Sequence, residues 1–323
     1  MGMTSVLVRV PASTANLGPG FDSLGMALSL YAWVDMRPSS STVIRLHGDG
    51  LDGIPTDKSN LLYKVAELLY EEAGLDMPEL EINMYSEIPL ARGLGSSASA
   101  IVGALVAANE LAGRPLDREG LLQLATRLEG HPDNVGASLY GGLIVAAWDG
   151  SRADFVRLEP PEQLQAIVAI PRFQLETEKA RHALPTELPM ADAVFNVGRS
   201  SLLVAALASG RIDLISRAMQ DRLHQPYRAP LIPGMAEVLT GAADHGALGA
   251  ALSGAGPTLL TLVEKDSPRL AELEAFLTET LGAAGTDADL LRLKPDPHGP
   301  VILDENEAPW LAPQGNRKGD LQA

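Results

Sequence analysis

The chain has 323 residues, 46% of them hydrophobic, and a formal net charge of -16 at pH 7. This length and apolar content allow one large or two ordinary domains with hydrophobic cores, whereas so acidic a surface disfavours nucleic acids and anionic membranes as partners. The sequence contains no cysteine, which excludes disulfides, thiol catalysis and zinc held by cysteine.

Apolar spacing predicts the elements of the first half of the chain. Alternation and short apolar runs predict strands over 6–10, 26–37, 42–46, 80–85 and 141–148. Helical spacing predicts helices over 60–73, 98–111 and 117–128. Turn-forming residues dominate the segment 11–22, PASTANLGPGFD, so we expect a loop there.

A second set of elements follows residue 162. Strands are predicted over 164–170 and 289–293, and two more within 246–263 around a glycine-rich turn at 253–257. Helices are predicted over 177–184, 192–207, 214–223, 233–243 and 268–281. Helices and strands are mixed without the regular alternation of a doubly wound sheet, which favours an α+β fold.

Turn-forming and charged residues at 149–154 and 159–162 indicate a domain boundary. We predict a first domain over 1–155, a second over 156–303, and a polar tail over 304–323 that we expect to be poorly ordered. The chain opens without a signal-peptide pattern, and its longest apolar run is far shorter than the ~20 residues that span a bilayer. We therefore expect a cytoplasmic protein without a membrane partner.

The most informative segment is 89–99, PLARGLGSSAS, which joins a predicted strand to a predicted helix. Gly93 and Gly95 carry no side chains that would keep a ligand from the backbone, and the helix directs its free amides and dipole into the turn. Together with the hydroxyls of three serines, this arrangement is typical of a site for phosphate oxygens.

Other glycine motifs fit this segment less well. A P-loop requires a lysine after the second glycine, which is absent, and a serine hydrolase would need a closing glycine. Gly93, Gly95 and Ala98 match a dinucleotide-binding fingerprint, but the candidate acidic partner, Glu110, falls inside the predicted helix. A turn that uses small residues only for close packing remains an open alternative.

Six segments in a fixed order carry a resemblance to a known family. They read PASTANLGPGFDSLG, PLARGLGSSAS, EGHPDNV, TEKARHALP, HQPYR and LSGAGPT, and they span nearly the whole chain. In this order they resemble the GHMP kinases, which act on galactose, homoserine, mevalonate or phosphomevalonate, and most closely the members that phosphorylate homoserine. One short motif is weak evidence, whereas six in sequence are specific.

The resemblance implies a two-domain α+β fold, with an N-terminal nucleotide-binding domain, a ferredoxin-like C-terminal domain, and the active site in the cleft between them. It implies ATP and Mg²⁺ as cofactors, phosphorylation of the side-chain hydroxyl of L-homoserine in threonine biosynthesis, and a homodimer. The alternative is a catalytically silent relative that binds a nucleotide or an amino acid as a sensor, because a shared fold does not guarantee the chemistry.

The resemblance also assigns the phosphates of ATP to one segment. Its members are Pro89, Leu90, Ala91, Arg92, Gly93, Leu94, Gly95, Ser96, Ser97, Ala98 and Ser99. It makes Ser97 and Glu129 the expected magnesium ligands, which supply the hard oxygen atoms that this cation prefers. The interval between Glu129 and the following His-Pro-Asp-Asn run is shorter than in many relatives, so a solvated carboxylate at a helix end is the competing interpretation.

The positions implied for the amino-acid substrate come from four segments. They are Asn16, Asp22, His131, Asn134, Arg181 and Arg228, and of these Asn134 and Arg228, with Thr177, are also the expected catalytic residues. A carboxylate suits the substrate ammonium, and guanidinium groups suit its carboxylate or the transferred phosphoryl group. Ordinary turn formation by Asn16 and Asp22, and a structural role for His131, remain alternatives.

Asn134 stands where, by the same resemblance, mevalonate and galactose kinases carry an aspartate that can act as a base. An amide does not accept a proton at neutral pH. The resemblance therefore implies transfer that depends on alignment of the hydroxyl and on stabilisation by the cation and arginines. The phosphate itself and solvent are both open as acceptors of the substrate proton.

Overall fold

The computed structural model describes residues 5–48, 50–51 and 53–311. The strands are β1 (Val6–Ala15), β2 (Leu24–Pro38), β3 (Val43–His47), β4 (Leu80–Ser86), β5 (Leu143–Trp148), β6 (Ala153–Leu158), β7 (Leu164–Pro171), β8 (Gly249–Leu252), β9 (Leu259–Glu264), β10 (Ala288–Leu293) and β11 (Val301–Leu303). The helices are α1 (Leu61–Glu72), α2 (Ser96–Leu111), α3 (Arg118–Glu129), α4 (Pro132–Tyr140), α5 (Thr177–His182), α6 (Met190–Ala208), α7 (Ile215–Ala218), α8 (Gln225–Arg228), α9 (Met235–Gly241) and α10 (Leu270–Ala283).

The first sheet has seven strands and carries the helices α1 to α4. Its strand order is β11-β1-β2-β4-β3, with β5 paired to β2 and β6 paired to β5. Val6, Val8 and Val10 alternate along β1 and are buried in one cluster with apolar residues of α1, α2 and α3, as the two-residue period of a strand requires. This packing holds the first turn of α2 beside the end of β1.

The second sheet is antiparallel, with the order β10-β7-β9-β8. Along the chain, helices separate β7 from β8, a turn joins β8 to β9, and α10 separates β9 from β10. This β-α-β-β-α-β topology is the ferredoxin-like arrangement. The predicted α+β class and the ferredoxin-like second half are therefore confirmed.

A shared core joins the two halves. Met26, Leu28 and Leu30 of β2 are buried in one cluster with Val168 of β7 and Leu260 of β9. Removing this apolar surface from water stabilises the contact between the sheets, and it leaves the loops of both halves facing one another at one edge.

The two sheets do not divide at the expected boundary of 155/156. Strand β6 crosses that position and pairs with β5 through Leu158, while β11 pairs with β1. The first sheet therefore extends past the predicted boundary and takes in the end of the segment assigned to the second half. A boundary inferred from turn-forming residues missed β6 because its apolar pattern is weak. The division into two domains stays a prediction.

Two predicted elements have different lengths in the structure. Strand β1 runs on through Pro11 to Ala15, with a register shift between Pro11 and Ala12, where a loop was expected. The helix expected over 214–223 ends at Ala218. Beyond it, the side chain of Asp221 accepts hydrogen bonds from the amides of Leu223, His224 and Gln225, and these bonds form the turn that precedes α8.

The first part of the expected disordered tail is folded. Asp304 and Glu307 form a capping box, and Trp310 stacks on His47 with ring centroids 4.9 Å apart. The prediction of poor order is thus wrong for residues 304–311. Residues 312–323 lie outside the described part of the chain.

Among the described residues, α6 has the length and hydropathy of a membrane span. One helix of this kind is weak evidence for a membrane, because core helices pass the same test. Leu203, Ala206 and Leu207 of α6 are buried in the structure.

Candidate active site

A cleft of about 660 Å³ lies where the loops of the two halves meet. Its walls bring together most of the side chains predicted from the six sequence segments. From the first half these are Asn16, Asp22, Ala91, Arg92, Gly93, Gly95, Ser96, Ser97, Glu129, His131 and Asn134, and from the second half Thr177, Arg181, Arg228 and Gly254. Segments far apart in the chain therefore share one cavity, as a composite ligand site requires.

The glycine-rich loop before α2 is held by backbone hydrogen bonds from both halves. The amide of Ser13 donates to the carbonyl of Leu94 at 3.1 Å, and the amide of Thr258 donates to that of Arg92 at 3.2 Å. Gly95 is the N-cap of α2, so the unpaired amides of the first helical turn face the cleft. The loop is thus a rigid cradle suited to an anion.

Not every residue of the predicted phosphate segment lines the cleft. Leu94, Ala98 and Ser99 are buried, and the hydroxyl of Ser99 donates to the carbonyl of Ser96 at 2.9 Å. These three residues pack and cap the loop, and Pro89 and Leu90 precede the part that lines the cavity. The remaining six members of the segment line the cleft.

Gly93 offers a direct test of the loop. Its φ is +79°, and an added Cβ would lie 2.3 Å from the carbonyl oxygen of Ser253. We expect Gly93→Ala to lower the free energy of unfolding by about 3 kcal/mol. Alanine is strained at this positive φ, and its Cβ would also clash with a backbone oxygen that has no room to move.

The matched control is Gly113→Ala at the other end of α2. Gly113 has a φ of +85° but open space around its Cβ position, so this variant should lose only the roughly 1–2 kcal/mol of a left-handed residue. Urea unfolding of both variants measures the difference, and equal losses would contradict the proposed clash.

Ser97 and Glu129 face each other across the cleft mouth. The hydroxyl of Ser97 donates to Oε2 of Glu129 at 3.2 Å. Burial raises the pKa of Glu129, whereas the neighbouring His131 and the bond from Ser97 lower it. The hydroxyl of Ser97 in the first turn of α2 and the carboxylate of Glu129 at the end of α3 fit the oxygen-donor preference of Mg²⁺, and two such ligands leave further coordination positions for phosphate oxygens and water.

His131 carries a positive charge in this acidic corner. Its Nδ1 lies 2.5 Å from Oδ1 of Asp133. Burial opposes the charge, but the hydrogen bond to Asp133 and the negative charges of Asp133, Asp22 and Glu129 outweigh it and raise the pKa of His131 to about 9. Atoms of Asp22, His131 and Asp133 lie within 4.8 Å of one another, a spacing that would hold a cation only after His131 lost its proton.

The raised pKa of His131 predicts a pH-dependent stability. Because the folded pKa exceeds the value of 6.5 for a free histidine, the contribution is complete below about pH 6.5 and is lost as the pH rises through about 9. Between about pH 6 and pH 10 the stability advantage of the natural chain over His131→Gln should shrink by roughly 2–3 kcal/mol. Urea unfolding at both pH values measures it, and an advantage that stays the same at the two pH values would contradict the raised pKa of His131.

The two arginines lie on the second-half side of the cleft. Arg181 forms a two-bond ion pair with Asp22, with N–O distances of 2.9 and 3.0 Å. Arg228 is only 1% exposed and donates to the carbonyls of Ala180 and Gly254. Burial and the like charge of Arg181 lower the pKa of Arg228 to about 10, which leaves it charged at neutral pH.

The first loop reaches both arginines. The Asn16 side chain donates to the carbonyl of Gly254 at 2.9 Å and accepts from the amide of Asp22 at 2.9 Å. The same Gly254 carbonyl accepts from Arg228 at 3.1 Å. Asn16 therefore fixes the conformation of its own loop while tying it to the opposite half.

Asn134 and Thr177 lie on different walls. Asn134 is largely buried near the start of α4, where its Oδ1 accepts a hydrogen bond from the hydroxyl of Ser13 at 3.0 Å. Thr177 begins α5 and is exposed at the mouth of the cleft. In this orientation the amide nitrogen of Asn134, a donor, has no hydrogen-bond partner among the described residues and can meet a ligand.

Phe21 and Asp133 line the cleft but were not predicted from the sequence. Phe21 lies under both arginines, with the guanidinium carbons of Arg181 and Arg228 at 5.6 and 5.3 Å from its ring centroid. Asp133 accepts from the amide of Asn134 and pairs with His131. Both residues lie inside the quoted segments, so position in those segments was the available signal.

Known proteins resemble this chain over most of its length. Residues 60–142 match the family described as GHMP kinases N terminal domain, and residues 203–281 match GHMP kinases C terminal. The homoserine kinase of Moorella thermoacetica is 46% identical over 92% of this chain and 99% of its own, and that of Deinococcus radiodurans is 45% identical over 91% and 96%. A solved homoserine kinase structure from Cytophaga hutchinsonii superposes with a TM-score of 0.84 at 30% identity, covering 93% and 98% of the two chains.

These matches show that the chain belongs to the GHMP kinase family, a class of phosphotransferases. Within that family its full-length similarity is to the homoserine kinases.

Proposed function

We propose that the cleft catalyses the ATP-dependent phosphorylation of the side-chain hydroxyl of L-homoserine, giving O-phospho-L-homoserine for threonine biosynthesis. The observation that carries the proposal is the pairing of Asp22 with Arg181 beside the phosphate loop. An amino acid presents an ammonium and a carboxylate only a few bonds apart, so it can replace both halves of this ion pair at once. The relatives named homoserine kinase support this substrate.

In the proposed complex the substrate ammonium binds Asp22 and its carboxylate binds Arg181. Both side chains are partly exposed, at 34% and 39%, so the ion pair can open at small cost. The donor nitrogen of Asn134 then meets the substrate from the first half of the cleft. A neutral sugar or an isoprenoid acid lacks the ammonium and would leave Asp22 without its new partner.

The nucleotide binds with its phosphates on the amides at the start of α2, the loop glycines and Ser96. Ser97 and Glu129 would hold Mg²⁺, which neutralises charge on the phosphates when bound. Arg228, buried and charged, stabilises the additional negative charge on the transferred phosphoryl group. Its hydrogen bonds to Ala180 and Gly254 fix the guanidinium before the ligands arrive.

No carboxylate occupies position 134, and the amide there does not take up a proton. Asn134 instead orients the substrate hydroxyl, and its own orientation is fixed by Ser13. Phosphoryl transfer through a loose transition state depends more on alignment and charge neutralisation than on early removal of the proton. Alignment alone can lower a barrier by roughly 7–11 kcal/mol.

Variants at position 134 test this role. Asn134→Ala should raise KM for homoserine and lower kcat together, without removing an acidic limb from the pH profile, because no base is lost. Asn134→Asp should gain a new acidic limb if the pocket can use a base. Steady-state rates across pH measure both, and full catalytic efficiency in Asn134→Ala would show that the residue only forms a turn.

A coupled assay of ADP release tests the assignment of the substrate. Homoserine should be turned over faster than mevalonate, galactose or shikimate at equal concentrations. Faster turnover of any of the other three would contradict the proposal, and calorimetric binding without turnover would favour a sensor. A homodimer and a cytoplasmic location are part of the proposal through the family resemblance alone.

A further inference from the structure

We propose that His224 is a positioning residue that holds the loop 16–22 in register with Arg228. This inference rests on the function proposed above. His224 is not among the residues that line the cleft, so it acts through the groups on either side of its ring. Its role is to fix the distance between the carboxylate that receives the substrate ammonium and the guanidinium that faces the phosphoryl group.

The two ring nitrogens of His224 contact opposite halves of the site. Nε2 lies 2.8 Å from the carbonyl oxygen of Gly18, and Nδ1 lies 3.2 Å from Nη1 of Arg228. A guanidinium only donates, so Nδ1 must accept, and Nε2 must carry the proton that is donated to Gly18. Both contacts together require a neutral ring in one tautomer.

The surroundings of His224 support this neutral form. The side chain is 0% exposed, and burial, helped by the charge of Arg228, lowers its pKa even though Oδ2 of Asp221 lies 3.7 Å from Nε2 and favours the charged ring. The carboxylate of Asp221 is occupied by other donors, namely the amides of His224 and Gln225 at 3.0 and 2.7 Å and the side chain of Asn196 at 2.7 Å. Asp221 therefore anchors the backbone that carries the ring.

A second link ties the same segment to the first loop. The Asn196 side chain that donates to Asp221 also lies 3.3 Å from the carbonyl oxygen of Pro19. The ring of Phe21 packs against His224 with centroids 5.1 Å apart. The loop that carries Asn16 and Asp22 thus contacts His224 through Gly18 and Phe21. Through Pro19 and Asn196 it is also linked to Asp221, and His224 donates or accepts hydrogen bonds on both sides, to Gly18 and Arg228.

Three variants separate the two hydrogen bonds. His224→Ala removes both, His224→Asn keeps an acceptor near the position of Nδ1, and His224→Gln keeps a donor near that of Nε2. We expect His224→Ala to lower kcat/KM for homoserine by about 10- to 100-fold, as loss of buried hydrogen bonds to a charged group implies. The kcat/KM values of the Asn and Gln variants should lie between those of the Ala variant and the unsubstituted protein. KM for ATP should change less than about threefold in all three variants, because the nucleotide binds to another wall of the cleft.

The control is His245→Asn, which removes a partly buried histidine of the same half that stacks on Phe276 away from the cleft. It should leave both KM values unchanged. If KM for ATP rises and the melting temperature falls in step with the loss of kcat/KM for homoserine in the His224 variants, the residue is merely structural and the inference is overturned. If His224→Ala does not fold, the His224→Asn and His224→Gln variants decide. A kcat/KM for homoserine equal to that of the unsubstituted protein in either of them overturns the inference.

Different results would overturn the positioning role of His224 and the proposed function. Failure of the natural chain to phosphorylate homoserine would overturn the function, whereas natural activity with an unaffected His224→Ala variant would overturn only the positioning role.

Discussion

Replacing Arg228 by alanine should lower kcat with homoserine by at least about a thousandfold, the effect typical of an arginine that stabilises a phosphoryl-transfer transition state. The side chain is 1% exposed and its guanidinium is fixed by two backbone carbonyls and His224. Arg228→Lys should recover little of the loss, because an ammonium cannot reproduce the planar fork. Rapid-quench measurement of the transfer step separates this effect from product release.

Arg199→Ala is the matched control for Arg228. Arg199 belongs to the same half and stacks on an aromatic ring, Phe195, as Arg228 does on Phe21, but it lies outside the cleft. We expect its kcat to remain within about twofold of the natural value, as for a surface substitution. A loss of less than tenfold in Arg228→Ala, with the fold intact by circular dichroism, would remove Arg228 from the proposed chemistry.

Glu129→Gln should lower kcat by about 10²- to 10⁴-fold while homoserine binding changes little, because a lost metal ligand acts on transition-state charge. Glutamine keeps the size of the side chain and can still meet Ser97, which donates to Glu129 at 3.2 Å in the structure. Added Mg²⁺ should restore activity only in part. Titration of Mg²⁺ against kcat, with homoserine binding followed by calorimetry, measures both expectations.

Glu110→Gln controls for the loss of one negative charge. Glu110 pairs with Arg114 near the far end of α2, outside the cleft, so its removal should leave the Mg²⁺ dependence unchanged. A Glu129→Gln variant with natural kcat and natural Mg²⁺ dependence would make Glu129 an ordinary carboxylate at a helix end.

Much of the fold could be predicted because apolar residues recur along most of its strands and helices with the spacing typical of each. The alternation in β1, the helical spacing in α1 and the glycine punctuation before α2 are local signals, and the structure has an element at each place. The weakly apolar strand β6 and the short strand β11 were missed. Strand β11 pairs with β1 near the other end of the chain, which a local pattern does not record. Strand β6 pairs with the preceding strand β5 and was missed because its apolar pattern is weak.

The sequence indicated which segments form the candidate site, but not which of their side chains contact one another. Motif order identified Asp22 and Arg181, yet nothing in the sequence indicates that they pair across 159 positions. The contact of Ser13 with Asn134 and that of His224 with Gly18 likewise depend on how the two halves pack. Buried histidines and hydroxyls are ordinary core residues in a sequence, so only tertiary structure distinguishes their roles.

Identification of the product tests the central claim most directly. Incubation of the protein with ATP, Mg²⁺ and L-homoserine should give ADP and one new phosphate monoester in equal amounts. In a ³¹P–¹H correlation spectrum that phosphorus should couple to the protons of the side-chain methylene next to oxygen. ADP accompanied only by inorganic phosphate, or an ester formed on a different acceptor in preference to homoserine, would contradict the account.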